Sequence, residues 1–172
     1  LWLVDHQMNQ RVSAAFGEYM VRIPLAASAT IACDNALRRD WQGLLPEGKR
    51  YDYILGNPPF IGHQWRTETQ QADHEHVWGS KGRAGRLDFV TCWFKRAAEL
   101  IKGTNTHVAF VSTNSIVQGE QPAILWSPMN AIGMEKTFAY RTFKWNNEAR
   151  GIAQVHVVIV GFAAQSPKRR VI

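Results

Sequence analysis

Asn57, Pro58, Pro59 and Phe60 are the residues whose types and order could carry out a reaction. The run leading into them, Tyr51-Asp52-Tyr53-Ile54-Leu55, is aromatic and branched aliphatic with one charge. That composition predicts a strand covered on both faces, as in a parallel α/β sheet. Gly56 permits close backbone approach. The two prolines then fix two φ angles and remove two backbone donors. The tip that remains carries a side-chain amide, carbonyl acceptors and an aromatic ring. Ligands in open α/β sheets bind outside the carboxyl ends of strands, so a site is expected here. The plainer alternative is a tight turn, because Asn-Pro is an ordinary turn dipeptide.

A strand ending directly in Asn-Pro-Pro-Phe resembles motif IV of the S-adenosylmethionine-dependent amino-methyltransferases. The exocyclic amine of a base is a poor nucleophile, since its lone pair is delocalised into the ring. Two acceptors aimed at its N–H bonds favour the tetrahedral, electron-rich nitrogen of the transition state. The resemblance assigns those acceptors to the Asn57 side-chain oxygen and the Pro58 carbonyl, with Pro59 in the same rigid tip. It assigns Phe60 to stacking on a base turned out of the duplex. The same tetrapeptide occurs in enzymes that methylate protein amides or amines of structured RNA, so it identifies the reaction better than the substrate.

The elements that must position this tip are readable from periodicity. Apolar residues at Leu1, Val4, Met8, Val12, Ala15 and Phe16 predict a helix over Leu1–Met20. Thr30-Ile31-Ala32-Cys33 is short and apolar and is read as a strand. Ile61 to Gly85 shows no sustained period and is read as a long loop with a basic, glycine-rich end. Leu87, Val90, Phe94, Ala97, Ala98 and Ile101 share one helical face, and Gly103 suits the end of that helix. Strands are expected at His107–Ser112, Lys136–Tyr140 and Ala153–Ala163, with a second polar tip at Thr113-Asn114-Ser115. A helix interrupted at Pro128 fits Gln121–Gly133, a polar and aromatic loop fits Arg141–Gly151, and a basic tail follows Gln165.

Several blocks in this order resemble the DNA adenine-N6 methyltransferase domain of single-chain, MmeI-like restriction–modification enzymes. They include residues 1–9, Asn35 to Trp41, Ile54 to Gly62, Phe110 to Ile116, Gln118-Gly119-Glu120-Gln121 and Arg141 to Ala149. The resemblance covers nearly the whole chain. It implies an α/β, Rossmann-like fold whose sheet is mostly parallel with one antiparallel strand, the one near Ala153–Ala163. It also implies that Asp34-Asn35-Ala36 meet the adenine of S-adenosylmethionine, with either Asn35 or Asp34 in the polar slot, and that Asn57 borders the cofactor. An Asx turn is the plainer reading of Asp34-Asn35. Phe143 or Trp145 would line the target-base pocket, or the two would simply pack over a sheet edge. Lys81, Arg83 and Arg86 would contact phosphates, or form a solvated basic loop.

Composition narrows the classes. The 172 residues suffice for one domain with a core, and 45% hydrophobic content is neither disordered nor membrane-like. No apolar run reaches transmembrane length. The net charge of +6 favours a polyanionic partner, here double-stranded DNA. Cys33 and Cys92 lack metal-site spacing and are read as reduced, buried thiols of a cytoplasmic protein. No metal is expected; His74 and His76 have no third ligand at convincing spacing. The glycine-rich cofactor loop and first strands of the resembled fold have no counterpart in 1–172. The chain is therefore read as a single partial catalytic domain of a longer protein, inactive alone. Segments for target recognition, and possibly cleavage, would lie elsewhere in that protein. The rival readings are a methyltransferase acting on RNA or a protein amide, and a DNA-binding module without catalysis.

Overall fold

The computed structural model describes residues 2–17, 29–145 and 155–164. The irregular stretch over 21–28, the residues 146–151 of the expected loop, the tail from 165 and the side chain of Trp145 lie outside the described residues. The chain divides into two compact units, Leu1–Cys33 and Asp34–Ile172.

The first unit holds α1 (Trp2–Phe16), which stops where Gly17 turns to φ 69°. Thr30–Cys33 is not a strand. A strand needs a neighbour's donors and acceptors, and none of the described strands pairs with it. Ile31 is 88% exposed and Cys33 is also exposed, not buried as expected.

The second unit is built on a sheet of order β1-β2-β4-β3. Its strands are β1 (Tyr53–Gly56), β2 (His107–Thr113), β3 (Met134–Trp145) and β4 (Val155–Ala164). β1 and β2 are parallel, and β4 runs antiparallel to both β2 and β3. Three described strands therefore point one way and β4 alone is reversed, as the family resemblance implied. β1 departs from its prediction. It occupies an edge of the described sheet, and Tyr53 and Leu55 are 68% and 72% exposed, so only Ile54 turns toward the core. β3 is longer than expected, since Arg141 to Trp145 continue its ladder past two register shifts.

Among the described residues, three α-helices flank these strands in chain order. α3 (Thr91–Ile101) lays Phe94, Ala97, Ala98 and Ile101 on the sheet with the i, i+3, i+4, i+7 spacing of a helix face. Phe94 is the centre of the core: it stacks on Phe162 at 5.7 Å and meets Phe110 edge-on at 5.3 Å. Removing such a ring costs about 3–5 kcal/mol. α4 (Gln121–Ala131) carries Pro128 within it and ends before Gly133 at φ 87°. α2 (Glu68–Trp78) lies in the stretch read as a loop. Its start is fixed by a capping box in which Thr67 and Gln70 satisfy each other's backbone N–H groups. Among the described residues, no helix is long and apolar enough to cross a membrane and no cluster of His, Cys, Asp and Glu could hold a metal ion.

α2 also buries His74 completely, with neither ring nitrogen hydrogen-bonded. Burial first, and the Arg66 guanidinium second, push its pKa down to about 4. An unfolded chain protonates histidine near 6.5, so between those values the unfolded state holds the extra proton. Stability present above pH 6.5 is lost as the pH falls toward 4, by roughly 3 kcal/mol across the window. Denaturant titrations at pH 7 and pH 4.5 should show this loss, and His74→Leu should reduce it sharply.

Candidate active site

The site is assembled where β1 ends. Gly56 pairs with Phe110 across the parallel ladder, and a Cβ on Gly56 would stand 3.3 Å from the Phe110 ring. Only a bare backbone lies comfortably there. Beyond it Asn57 and Pro59 are exposed, Pro58 is buried, and Phe60 is half-buried against the main core. Asn57, Pro58 and Pro59 open onto a cleft of about 520 Å³. Its other walls include Trp41, Leu44, Tyr51, Trp93 and Phe110. This size and aromatic lining suit a nucleoside-sized ligand.

Asp34, Asn35 and Ala36 form a turn braced against α2. The Asn35 side-chain oxygen accepts from the Leu37 N–H at 2.9 Å, and its amide donates to Asp73 at 2.7 Å. Asp73 also binds Arg38 at 2.6 Å. Asp34 accepts from the Asn35 N–H and pairs with Arg39 at 3.1 Å. Those two contacts, the first being larger, hold its carboxyl below the usual range. Neither Asp34 nor Asn35 lines the cleft; Ala36 is linked to it, since its carbonyl accepts from the Trp41 indole N–H at 2.7 Å. The turn and the tip are thus joined through one tryptophan.

β3 runs in the same direction as β1 and β2, so its carboxyl end lies at the same pole of the sheet as Asn57. Three strand spacings, about 14 Å, separate β1 from β3 across the sheet, and the ladder registers carry Trp145 farther along than Asn57. Phe143 is a strand residue rather than a loop residue; it pairs with Val157 and meets Tyr140 edge-on at 5.7 Å. Trp145 ends the same strand. Lys81 is exposed. Arg83 and Arg86 are 78% and 70% exposed at the side chain, and both reach Glu120, at 3.2 and 3.0 Å. They form a cluster partly neutralised by one carboxylate rather than a purely cationic loop.

Trp41 and Trp93 are cleft residues that the sequence reading did not single out. Trp93 follows Cys92 and precedes Phe94, so it sits at the margin of the buried helix face. A half-exposed aromatic at such a margin is the signal that could have found it. Cys92, fully buried, has its thiol pushed up to about 12, chiefly by burial, and is chemically inert there.

The strand order, the single reversed strand and the polar tip over a cleft define an α/β domain of Rossmann-like methyltransferase architecture. The chain belongs to the MmeI DNA-methyltransferase domain family, whose model matches residues 1–172. It is similar to DNA methyltransferase A of Bacillus subtilis (strain 168), 38% identical over 170 residues, which is 98% of this chain and 19% of that protein. It is also similar to the solved Type IIL restriction-modification enzyme MmeI in complex with DNA, with a TM-score of 0.83 and 46% identity over 99% of this chain and 23% of that one. The chain spans about a fifth of the length of these relatives.

Removing the Asp73 carboxylate leaves the Asn35 amide and Arg38 without their shared anchor. Asp73→Ala should speed hydrogen exchange at the Leu37 amide by about tenfold, the order expected for one lost charged hydrogen bond. Thermal unfolding should move by only a few degrees, as about 1 kcal/mol does in a domain of this size.

Proposed function

We propose that this domain transfers a methyl group from S-adenosylmethionine to the N6 amine of adenine in double-stranded DNA, as the modifying part of a larger restriction–modification protein. The observation that carries this reading is the Asn57-Pro58 tip opening onto an aromatic cleft, in a chain of a DNA-methyltransferase family. The DNA bound in the solved relative and this chain's net charge of +6 support a duplex partner. A DNA partner suits a protein working in the cytoplasm. The relatives' greater length supports further segments in the same polypeptide, for target recognition or for cleavage.

The residues fit the cofactor. The cleft has the volume and the aromatic walls that a nucleoside needs, and the Asp34–Ala36 turn stands behind Trp41, one of those walls. Asp34 and Asn35 do not line the cleft, so either would meet the exocyclic amine of the cofactor adenine only past its Trp41 wall; Ala36 would offer backbone there, and Asn57 would border the ligand within the cleft. The cofactor supplies a methyl group on a sulfonium, an electrophile of high reactivity. The protein's own contribution lies at the amine. The Asn57 side-chain oxygen and the Pro58 carbonyl accept from its two N–H bonds and draw the lone pair out of the ring. The proton is lost easily once nitrogen is alkylated, so no strong base is required. Phe60 would stack on the flipped adenine, and Phe143 or Trp145 would close the pocket from the β3 side. Lys81, with Arg83 and Arg86 released from Glu120, would contact phosphates.

The test uses the full-length protein with unmethylated duplex DNA and labelled S-adenosylmethionine, followed by digestion to nucleosides. N6-methyladenine is the expected product. Asn57→Ala should lower its rate at least about a hundredfold, the effect typical of losing one preorganised polar contact in a transition state. Methylated cytosine would overturn the base assignment. No transfer to DNA, with the cofactor still bound, would overturn the substrate.

A further inference from the structure

Gln118-Gly119-Glu120-Gln121 has no role in the reading above, yet it opens α4 directly beside the chain that leaves the Asn57–Phe60 tip. One residue connects them. Asp88 is only 6% exposed, and its side-chain oxygen accepts from the Ile61 N–H at 3.2 Å and the Val90 N–H at 3.1 Å. The next residue, Phe89, donates its N–H to the Ile61 carbonyl at 2.9 Å. Both polar backbone groups of Ile61, immediately after Phe60, are therefore held by consecutive residues in the turn just before α3. Asp88 is itself held: its N–H donates to the Gln121 side-chain oxygen at 3.2 Å, and its carbonyl accepts from the Thr91 hydroxyl at 2.7 Å. Glu120 grips Arg83 and Arg86, in the turn that leads into Leu87 and Asp88.

Pro58 and Pro59 have no N–H, so half of the tip offers no backbone donor by which it could be pinned. Ile61, just beyond it, is clamped at both of its polar backbone groups. A tip that acts by aiming two acceptors loses rate when it drifts by a fraction of an ångström. We propose that Asp88, held in place by Gln121, is a positioning residue that fixes the Asn57–Phe60 tip through Ile61. Its effect on rate rests on the methyl-transfer reading; its effect on the tip does not.

Two readouts in the full-length protein separate these. Hydrogen exchange over 57–62 reports the clamp, and single-turnover methyl transfer reports its consequence. Asp88→Ala should speed exchange at the Ile61 amide at least about tenfold, with exchange in the rest of the domain much less affected and the melting temperature lowered by several degrees, as two buried N–H groups lose their acceptor. Methyl transfer should fall by about thirtyfold and cofactor affinity by less than about threefold. Asp88→Asn keeps an oxygen that can accept both bonds and should recover most of each loss. If the unsubstituted protein transfers no methyl group, the functional reading fails while the exchange result still decides the clamp. Unchanged Ile61 exchange in Asp88→Ala overturns the proposal. So does an Asp88→Asn protein as impaired as Asp88→Ala, or faster exchange spread uniformly over the domain. Should Asp88→Ala not fold, Gln121→Ala decides: an Ile61 amide about threefold faster supports the clamp, and an unchanged one refutes it.

Discussion

The parallel ladder between β1 and β2 is the interaction on which the site depends. It fixes Gly56 opposite Phe110, and with it the height at which Asn57 leaves the sheet. Phe110 cannot shift, because Phe94 from α3 and Phe162 from β4 close on it from within the core. The position of one amide side chain is thereby set by contacts among β2, α3 and β4, all of them distant from Asn57 in sequence. Edge strands are ordinarily the softer part of a sheet. Here the short β1 is stiffened from one side by an aromatic cluster and beyond its end by two prolines.

Charge is arranged in the same economical manner. The chain carries six more positive than negative residues, yet Arg38, Arg39, Arg83 and Arg86 each have a carboxylate partner within the second unit. These exposed pairs contribute little to stability. Their effect is on position: they hold the turn before Trp41 and the turn before Asp88. A phosphate arriving at Arg83 or Arg86 would compete with Glu120, so any nucleic acid binding there would be an exchange of partners rather than the filling of a vacant site.

What the sequence made legible was local. Prolines, asparagine and a strand-like approach specify the Asn57–Phe60 tip without reference to anything distant, and the 94, 97, 98, 101 spacing specifies the α3 face. The reversed strand β4 came from the family resemblance, not from its apolar composition. α2 was missed because its buried face is short, His74 and Val77, although Thr67 and Gln70 carried the capping signal. The exposure of Tyr53 and Leu55 was not legible, since burial of a strand's second face depends on what lies beside it. The Arg83–Glu120 and Asn35–Asp73 contacts join residues 37 and 38 positions apart, and no local pattern announces such pairings. The same holds for Trp41 and Trp93, which become walls of one cleft only after the chain has folded.

The most direct test is a structure of the full-length protein bound to duplex DNA containing its target adenine and a non-reactive analogue of S-adenosylmethionine. The expected result is an adenine outside the helix, its N6 about 3 Å from both the Asn57 side-chain oxygen and the Pro58 carbonyl. The analogue should occupy the cleft between Trp41 and Trp93. An adenine that stays stacked, or one flipped to a position away from Asn57, would contradict the account.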